Sequence, residues 1–462
     1  MKKKIAVILT ACMLFGLVSG CNGTSGDTEA PKETTVGAPT DTVKDDKPYA
    51  GTVLKWSMTQ SASQGDEFKA IAEMVERETG IIIEANLVPE NVDDQIDKVL
   101  VGLMAGDEMD ILYYAAPRLK PFINAGVLKA VDEIALESNY DMQEVFGDYL
   151  PVFGGKTWGL PAFSDIWLTM YNKKVFDNAG VPYPEAEGWT WEKYIETAKL
   201  LTDTENGVYG SLMLDYNNYN YMHAVQSGAS HYTKDGLSNY ADPAFKNALE
   251  FFYGLGNEEK IQPSMLEFKA GNIPWDAFFS QDAEYGMFVC GGWTLNMMAE
   301  TENYPRDWDF GVLPMPYPEG KTPSTLTVPG CYAIPTTSKN QEAAFAAIAC
   351  IAENQYSLGY GRVPARRDLT EEEINSYIES DLVKPFLSDG VTVEDIRTAW
   401  FDSGRIAYPE KVIGPADAEI NSIWVEEGQL YGQGAKSIED AIEAIIRRAE
   451  KAIEDSGETI DS

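Results

Sequence analysis

The sequence predicts an α/β protein with more than one domain. Strand-like and helix-like segments alternate after residue 50, and a glycine follows each of the first two helical segments. The chain has 462 residues, of which 44% are hydrophobic, so it can fill the cores of two or more domains. Alternation of this kind predicts a parallel sheet with right-handed crossovers, covered by helices on both faces.

The first part of the folded body is predicted to contain three strands and three helices. The two longer helical segments carry apolar residues at spacings of three and four. The glycines after them, Gly80 and Gly106, stand where helix C-caps are expected. In order, the predicted elements are a strand at Thr52–Met58, a helix at Asp66–Thr79, a strand at Ile81–Val88, a helix at Ile96–Met104, a strand at Asp110–Tyr114 and a short helix through Phe122 and Ile123.

The second half of the chain is predicted to be mixed α/β as well. Its last helix carries isoleucines along one stripe, as an amphipathic helix does. The predicted elements are helices at Trp191–Leu201, Phe245–Tyr253 and Ile438–Ile453 and strands at Tyr285–Cys290 and Phe310–Leu313.

Aromatic and polar residues stand at the ends of two predicted strands. In parallel α/β sheets, ligands bind beyond the carboxyl ends of the strands. Trp56 and Ser57 lie at that end of the first strand, and Tyr113 and Tyr114 lie at that end of the third. These residues are therefore predicted to adjoin a ligand site.

The N-terminal residues have the pattern of an export signal. Three lysines precede an apolar stretch, Ile5–Val18, that is too short to span a bilayer and is followed by Ser-Gly-Cys. We expect residues 1–20 to be a lipoprotein signal peptide and Cys21 to carry a lipid such as palmitate; an ordinary secretory signal is the alternative. Residues 21–49 are predicted to be the lipidated cysteine and a disordered tether. The body would then be held at the outer face of a bacterial cell membrane.

Charge and cysteine content restrict the partners. The formal charge of −37 argues against nucleic acid as a ligand, because nucleic acid requires a basic surface. Beyond Cys21 the cysteines are Cys290, Cys331 and Cys350. Three cysteines cannot all pair, so buried free thiols are expected. A single disulfide between Cys290 and Cys331 is the alternative.

Most catalytic motifs are absent from the sequence. The Gly-Lys-Thr that begins at Gly155 is not a phosphate-binding loop, because Leu150 stands where that loop needs a glycine. Only two histidines are present, His223 and His231, so neither a histidine triad, a metal nor a cofactor is expected. A glycoside hydrolase needs only two carboxylates, and a chain with 73 acidic residues does not exclude one.

Several stretches of the chain follow one known pattern in their order and spacing. They are GDEFKAIAEMVERETGIIIE, MAGDEMDILYY, GGKTWGLPAFSDIWLTMYNKKVFDNAGV with WTWEKYIETAKLL, and FFSQDAEYGMFVCGGW with WDFGVLPMP and PGCYAIPTTSKNQEAAFAAIACI. Together with the residues that end in Cys21, which resemble a bacterial lipobox, and with SIEDAIEAI near the C-terminus, they resemble the family 1 extracellular solute-binding proteins. That family comprises substrate-binding lipoproteins of ABC importers and includes maltose- and oligosaccharide-binding members.

The resemblance implies a periplasmic-binding-protein-like fold, with two α/β lobes, a hinge and a ligand cleft between the lobes. In such proteins hinge motion closes the lobes on the ligand. We expect residues 50–165 and 322–365 to form the N-terminal lobe and residues 166–321 and 366–462 to form the C-terminal lobe.

The candidate ligand contacts combine aromatic with polar side chains. A sugar has apolar ring faces and a rim of hydroxyls, so its site needs flat aromatic groups with polar groups around them. Core packing is the alternative for each aromatic residue, a solvated loop position for Asp165 and an ion pair with a neighbouring acid for Arg366. The candidates are Trp56, Ser57, Tyr113, Phe163, Asp165, Trp167, Tyr219, Trp293, Tyr332, Arg366 and Trp400.

These observations together predict a monomeric, non-enzymatic binding protein. It would capture an oligosaccharide between two lobes and deliver it to the permease subunits of an ABC importer. The alternatives are the same fold with a polyamine or peptide as ligand, and a secreted glycoside hydrolase.

Overall fold

The structure is a computed structural model that describes residues 47–213, 216–282, 284–299, 301–302, 304–358, 363–379, 384–401 and 404–459. The predicted signal peptide, Cys21 and most of the predicted tether lie outside the described residues. No helix in this part of the chain combines the length and the apolar character needed to cross a membrane.

The strands differ greatly in length, and two of them are much longer than the rest. The described residues contain β1 (Val53–Thr59), β2 (Ile82–Val88), β3 (Leu112–Ala115), β4 (Leu128–Lys129), β5 (Val152–Phe153), β6 (Lys156–Thr157), β7 (Leu160–Asn172), β8 (Tyr209–Leu212), β9 (Tyr285–Gly291), β10 (Phe310–Pro314), β11 (Ser324–Pro335) and β12 (Ile406–Pro409).

Most helices lie in the connections between these strands, and the last two form the C-terminal region. They are α1 (Gln60–Gln64), α2 (Asp66–Thr79), α3 (Val92–Ala105), α4 (Lys120–Asn124), α5 (Asp132–Glu137), α6 (Met142–Phe146), α7 (Lys173–Ala179), α8 (Trp191–Leu201), α9 (Met222–Gln226), α10 (Pro243–Asn257), α11 (Met265–Gly271), α12 (Leu295–Ala299), α13 (Gln341–Asn354), α14 (Glu371–Tyr377), α15 (Val393–Ile396), α16 (Asp417–Gly432) and α17 (Ile438–Ser456).

The first sheet contains both parallel and antiparallel strands, in the order β2–β1–β3–β11–β7. β1 and β2 are parallel, and β1 meets the residue before β3 through a parallel bridge between Trp56 and Ile111. β11 is antiparallel to β3 and to β7. The predicted parallel arrangement of the first three strands is therefore confirmed, and the antiparallel strand β11 is an addition that the sequence did not predict. β11 enters this sheet from the opposite end because the chain returns there from the second half of the fold.

The two long strands, β7 and β11, connect this sheet to a second one. β7 pairs with β11 along its first half and with β9 and β10 along its second half. β11 pairs with β12 at its start and with β3 and β4 at its end. A third segment runs beside β7, because the amide of Ser164 donates to the Val363 carbonyl at 2.9 Å and the amide of Ala365 donates to the Ala162 carbonyl at 3.1 Å. Three segments therefore cross between the two halves, and we call them the hinge.

The buried side chains form separate cores on either side of the hinge. One core packs β7–β10 against α8, α10, α16 and α17. The other two cores cover opposite faces of the first sheet, since Tyr113 and Tyr332 belong to one and their neighbours Tyr114 and Cys331 belong to the other. The helices α2 and α13 contribute to the first of these cores, and α3 contributes to the second. The fold therefore consists of two α/β lobes joined by a hinge.

Most of the predicted elements are present. α2 and α8 have the predicted bounds, Asp66–Thr79 and Trp191–Leu201. Other helices are longer than predicted: α10 spans Pro243–Asn257, and α17 continues to Ser456. β3 begins two residues later than predicted, at Leu112, although the amides of Asp110 and Ile111 still donate to the Lys55 carbonyl of β1 at 3.0 and 3.1 Å.

The Gly-Gly-Lys-Thr segment forms a β-hairpin. Phe153 pairs with Lys156 across the turn between β5 and β6, and the two turn residues, Gly154 and Gly155, have φ of 58° and 69°. A two-residue hairpin turn of type I′ requires positive φ at both central positions, which glycine adopts without strain. The two glycines are therefore explained by the turn.

The cysteines of the body are unpaired, as expected. Cys290, Cys331 and Cys350 are free thiols, the first two of them buried. Burial raises the pKa of Cys350 to about 11.

Candidate ligand-binding site

The first lobe has a pocket at the carboxyl ends of β1 and β3. Its volume is about 290 Å³. Four of the candidate residues, Trp56, Ser57, Tyr113 and Tyr332, line it together. The remaining lining residues are Met58, Thr59, Ala62, Gly65, Glu67, Phe68, Ile71, Gln95 and Gln355. The position of this pocket agrees with the rule that ligands bind beyond strand ends.

Aromatic rings form much of the apolar wall of this pocket. Trp56 packs edge to face against Tyr332 and Phe68, with ring centroids 5.3 and 5.9 Å apart. Tyr113 tilts against Tyr332 at 4.8 Å. Gly330 on β11 makes room for Tyr113, since a Cβ atom at position 330 would lie 2.2 Å from the Tyr113 hydroxyl. The hinge strand therefore helps to position the pocket wall.

A chain of hydrogen bonds ends at Glu67, which is the only carboxylate among the described residues that line this pocket. The Tyr332 hydroxyl donates to Gln355 Oε1 at 3.0 Å, and Gln355 Nε2 donates to Glu67 Oε1 at 2.9 Å. Gln355 is 2% exposed and Tyr332 is 1% exposed, so the two donors are held in fixed positions. Both bonds point toward Glu67, and they therefore orient its carboxylate.

The hinge carries two further candidates. Asp165 is half-buried on β7 and lies opposite Val328 of β11. Phe163 is buried in the first-lobe core, and its backbone forms a bridge with Pro364. Asp165 is therefore a polar candidate at the hinge, whereas the contacts of Phe163 are those of a core residue.

The second lobe presents three half-buried rings that touch one another. Trp293 follows β9 directly, and its ring lies 5.7 Å from that of Trp275. Tyr216 contacts both, at 6.1 Å from Trp275 and 6.4 Å from Trp293. β9 ends beside the hinge, because Gly291 pairs with Trp167 on β7. We call Tyr216, Trp275 and Trp293 the second-lobe aromatic patch.

Three aromatic candidates lie in the second-lobe core instead. Trp167 is 1% exposed, contacts Tyr219 edge to face, and donates from Nε1 to Glu410 Oε2 at 3.0 Å. Tyr219 is fully buried and donates to the Val289 carbonyl at 2.5 Å. Trp400 is 5% exposed and belongs to the same core. The structure does not bring these three residues to the first-lobe pocket.

Arg366 is paired with a neighbouring acid. Its Nε and Nη2 donate to the two carboxylate oxygens of Asp368 at 2.7 Å each, and Nη1 donates to the Glu353 carbonyl at 3.1 Å. The hydrogen bonds from Arg366 lower the pKa of Asp368. This bidentate pair matches the alternative that the sequence left open for Arg366.

A smaller cavity of about 150 Å³ has walls from both lobes. Pro117 and Tyr149 contribute from the first lobe, Glu410 and Lys411 from the second, and Val328 from the hinge. Lys411 lies 3.2 Å from Glu410, so these two charges neutralise each other. The lobes therefore also enclose space beside the hinge.

Sequence reasoning missed several of these residues. Glu67 lies on α2, and Gln355 directly follows α13. The two residues are far apart in the chain and meet only because both lie against the same strand ends. Trp275 follows α11 in a loop, and the Pro-Trp pair in that loop was the only available signal. Phe68 lies on α2 and also lines the pocket.

Both histidines of the chain pack against aromatic rings. Burial lowers the pKa of His231 to about 3, and its Nδ1 lies 3.2 Å from the Tyr240 hydroxyl. His223 stacks on Phe251 at 4.5 Å. Glu67 is the one carboxylate among the described residues that line the first-lobe pocket, whereas glycoside hydrolysis uses two. The described residues contain no group of three or more side chains suited to a metal ion.

Comparison with known proteins identifies the family. Residues 61–357 match the model of the family described as bacterial extracellular solute-binding protein. A protein of Brucella abortus (strain 2308) named as a binding protein is 23% identical over 307 residues, which are 64% of this chain and 71% of that protein. A Brucella suis biovar 1 (strain 1330) protein with the same description has the same identity and coverage.

Solved structures of low sequence identity have the same fold. An ABC substrate-binding protein from Listeria monocytogenes in complex with cycloalternan aligns with a TM-score of 0.69 at 22% identity, over 87% of this chain and 99% of that one. A sugar transporter from Rhizobium etli in an open conformation gives the same TM-score and identity, over 86% and 99%. A cyclic alpha-maltosyl-1,6-maltose binding protein from Arthrobacter globiformis has a TM-score of 0.66 at 18% identity, over 87% and 99%.

The comparisons confirm the periplasmic-binding-protein-like fold with its two lobes. The matched family consists of binding proteins, not of enzymes. Because the family model covers more than half of its residues, this chain belongs to the bacterial extracellular solute-binding proteins.

Proposed function

We propose that the protein captures a carbohydrate, specifically an oligosaccharide, between its lobes and delivers it to the permease subunits of an ABC importer. In this proposal the lobes comprise residues 50–165 with 322–365 and residues 166–321 with 366–462. The protein acts as a monomer at the outer face of the bacterial membrane, anchored by a lipid on Cys21.

The second-lobe aromatic patch is the observation that carries this proposal. Tyr216, Trp275 and Trp293 contact one another beside the hinge and pack against the second-lobe core, yet each of them is only half-buried. Flat aromatic surfaces of this kind suit the apolar faces of sugar rings. The first-lobe pocket adds Tyr113, Trp56 and polar side chains at the other lobe's strand ends. The sugar-binding descriptions of similar structures from other organisms support the same ligand class.

Ligand-induced stabilisation tests the proposal. We would heat the purified protein with a panel of mono- and oligosaccharides, peptides and polyamines and record the unfolding temperature. A ligand present at 100 times its Kd should stabilise the protein by about 2.7 kcal/mol. Stabilisation by an oligosaccharide without its hydrolysis is the expected result. Hydrolysis of the sugar, or stabilisation by peptides alone, would overturn the proposal.

Trp293→Ala is expected to weaken oligosaccharide binding by at least about tenfold, because it removes one ring of the patch. Isothermal titration calorimetry with the oligosaccharide found in the panel measures this change. Trp158→Ala is the matched control, since Trp158 is also half-buried but lies in the first lobe, where its Nε1 donates to the Phe153 carbonyl. Equal affinities for the wild type and Trp293→Ala would assign Trp293 to the core.

Cys21→Ser is expected to release the protein from the membrane, because serine cannot receive the thioether-linked lipid. Fractionation of the producing cells followed by immunoblotting measures the distribution. Cys350→Ser serves as the control, since it removes a thiol from the folded body and leaves the anchor intact. Retention of the Cys21→Ser variant in the membrane fraction would argue against lipidation.

A further inference from the structure

We propose that the first-lobe pocket binds a protonated amino group, so that the solute of this protein is a cationic, amino-bearing carbohydrate. The amine would lie among Trp56, Phe68 and Tyr113 with its charge facing Glu67. This inference rests on the proposed function, because it names the chemical class of the ligand that the lobes would enclose.

The charge of the pocket is the first argument. Glu67 is the one charged group among the described residues that line it, and none of those residues is a lysine, an arginine or a histidine. The nearest cation on α2, Lys69, is directed to Asp66 at 2.9 Å on the exposed surface. The pocket therefore carries a negative charge that no described cation neutralises, and it would repel carboxylate- or phosphate-bearing solutes.

The aromatic walls are the second argument. The electron-rich faces of tryptophan, tyrosine and phenylalanine attract cations, and the attraction strengthens when the cation leaves water. Trp56 is 7% exposed and Tyr332 is 1% exposed, so they form the floor, while Phe68 and Tyr113 stay half-buried and form the sides. These rings meet at edge-to-face and tilted angles, so their faces point in different directions.

The hydrogen-bond network is the third argument. An ammonium group has three N–H donors and no acceptor, so a site that removes it from water must supply oxygen atoms. Five residues whose side chains carry oxygen atoms line the same pocket: Glu67, Gln95, Gln355, Ser57 and Thr59. Gln355 holds Glu67 at 2.9 Å through one carboxylate oxygen, which leaves the second carboxylate oxygen outside that bond.

The direction of this network favours a cation over a neutral sugar. The Tyr332 hydroxyl donates to Gln355 Oε1 and Gln355 Nε2 donates to Glu67 Oε1, so this chain of donors ends on the negatively charged carboxylate of Glu67. Glu67 also lies in the first turn of α2, where the helix dipole favours negative charge. A neutral hydroxyl would use one acceptor and leave this charge without a counter-ion.

The test compares amino and acetylated forms of one sugar on the full chain. We would titrate the protein by calorimetry with a β-1,4-linked glucosamine trisaccharide, with its N-acetylated counterpart and with spermidine, at a pH where the amines are protonated. We expect the free amine to bind about ten to a hundred times more tightly than the acetylated form. Glu67→Gln should remove this preference. Glu73→Gln is the matched control, because Glu73 is exposed on the same helix and its removal changes the net charge equally.

Each outcome decides between the two proposals. A preference for the amine that Glu67→Gln removes and Glu73→Gln keeps supports the amine pocket. Equal affinity for both trisaccharides leaves carbohydrate binding intact and overturns the amine pocket, as does an amine preference that persists in Glu67→Gln. Binding of spermidine that requires Glu67, with no glycan of the panel bound, supports the pocket and overturns carbohydrate capture. If none of the amines binds in a Glu67-dependent manner, the inference is wrong.

Discussion

Lys120→Met is expected to lower the free energy of unfolding by about 3 kcal/mol. Lys120 is 5% exposed, and its Nζ donates to the Gly414 carbonyl at 2.7 Å. The same atom lies 3.3 Å from Glu458 Oε2 and 3.4 Å from Asp417 Oδ2. Removing the ammonium group leaves two carboxylates without their cation and a carbonyl without its donor. Methionine keeps a side chain of similar length, so the change tests the charge and not the packing.

The expected value lies at the lower end of the range for broken buried ion pairs. The side chains of Asp417 and Glu458 are 20% and 26% exposed, so water can partly replace the lost cation. Desolvation by burial also raises the pKa of Asp417, which indicates that Lys120 only partly compensates the cost of burying that carboxylate. Urea unfolding monitored by tryptophan fluorescence measures the loss.

Lys339→Met is the matched control for this prediction. Lys339 forms an ion pair with Glu108, but its side chain is 76% exposed. Exposed pairs contribute up to about 1 kcal/mol, so the control should unfold nearly like the wild type. A similar loss in both variants would mean that burial does not strengthen the ion pairs of Lys120 with Asp417 and Glu458.

Lys120, Asp417 and Glu458, which we call the Lys120 cluster, also connect the two lobes. Lys120 begins α4 in the first lobe, whereas Asp417 begins α16 and Glu458 follows α17 in the second. Asn124 on α4 adds a bond from Nδ2 to Glu458 Oε1 at 3.0 Å. The cluster therefore couples the stability of the two lobes outside the hinge strands.

Gly159→Ala is expected to lower the free energy of unfolding by about 3 kcal/mol, the upper end of the usual range for overpacking. A Cβ atom at position 159 would lie 2.2 Å from the carbonyl oxygen of Tyr332 and 3.3 Å from the Cα atom of Ala333. Both contacts are with the backbone of β11, which pairs with β7 at Leu160. Neither atom can move without separating the two long hinge strands. Tyr332 also lines the first-lobe pocket, so ligand binding should weaken as well.

Gly254→Ala serves as the control for the glycine substitution. Gly254 lies inside α10, and an added Cβ atom would meet only Glu258 Oε2 at 3.9 Å. Alanine favours the helix over glycine by roughly 0.5–1 kcal/mol, so this variant should be as stable as the wild type or more stable. Urea titrations of both variants give the comparison. A Gly159→Ala variant of wild-type stability would show that the hinge strands can separate at little cost.

Local sequence patterns predicted the secondary structure well. The apolar spacing of α2, with acidic residues in its first turn and Gly80 after it, gave both of its ends correctly. The bounds of α8 were also predicted correctly, and the structure shows that the Thr190 side chain caps this helix. Such signals lie within a few residues of the element that they specify, so they can be read without knowing the fold.

Predictions that depended on distant contacts were less complete. The rule for strand ends placed Trp56, Ser57 and Tyr113 at the first-lobe pocket, but it could not add Glu67 and Gln355. Aromatic residues in polar loops were also ambiguous: Tyr219 is fully buried, whereas Tyr216, three residues earlier, is half-exposed in the patch. Whether a ring is exposed depends on which other segments pack over it, and no local pattern contains that information.

The α/β class, the main helices, the glycines that end two of them and the family resemblance could all be predicted from the sequence alone. Each of these follows from composition, from local periodicity or from the order of short motifs. Four features could be seen only in the folded chain: the direction of β11, the contact of Tyr216 with Trp275 and Trp293, the pairing of Arg366 with Asp368 and the position of Glu67 in the first-lobe pocket. These features arise where segments far apart in the chain meet, because charge, hydrogen bonding and exposure at such places depend on the partners that folding brings together.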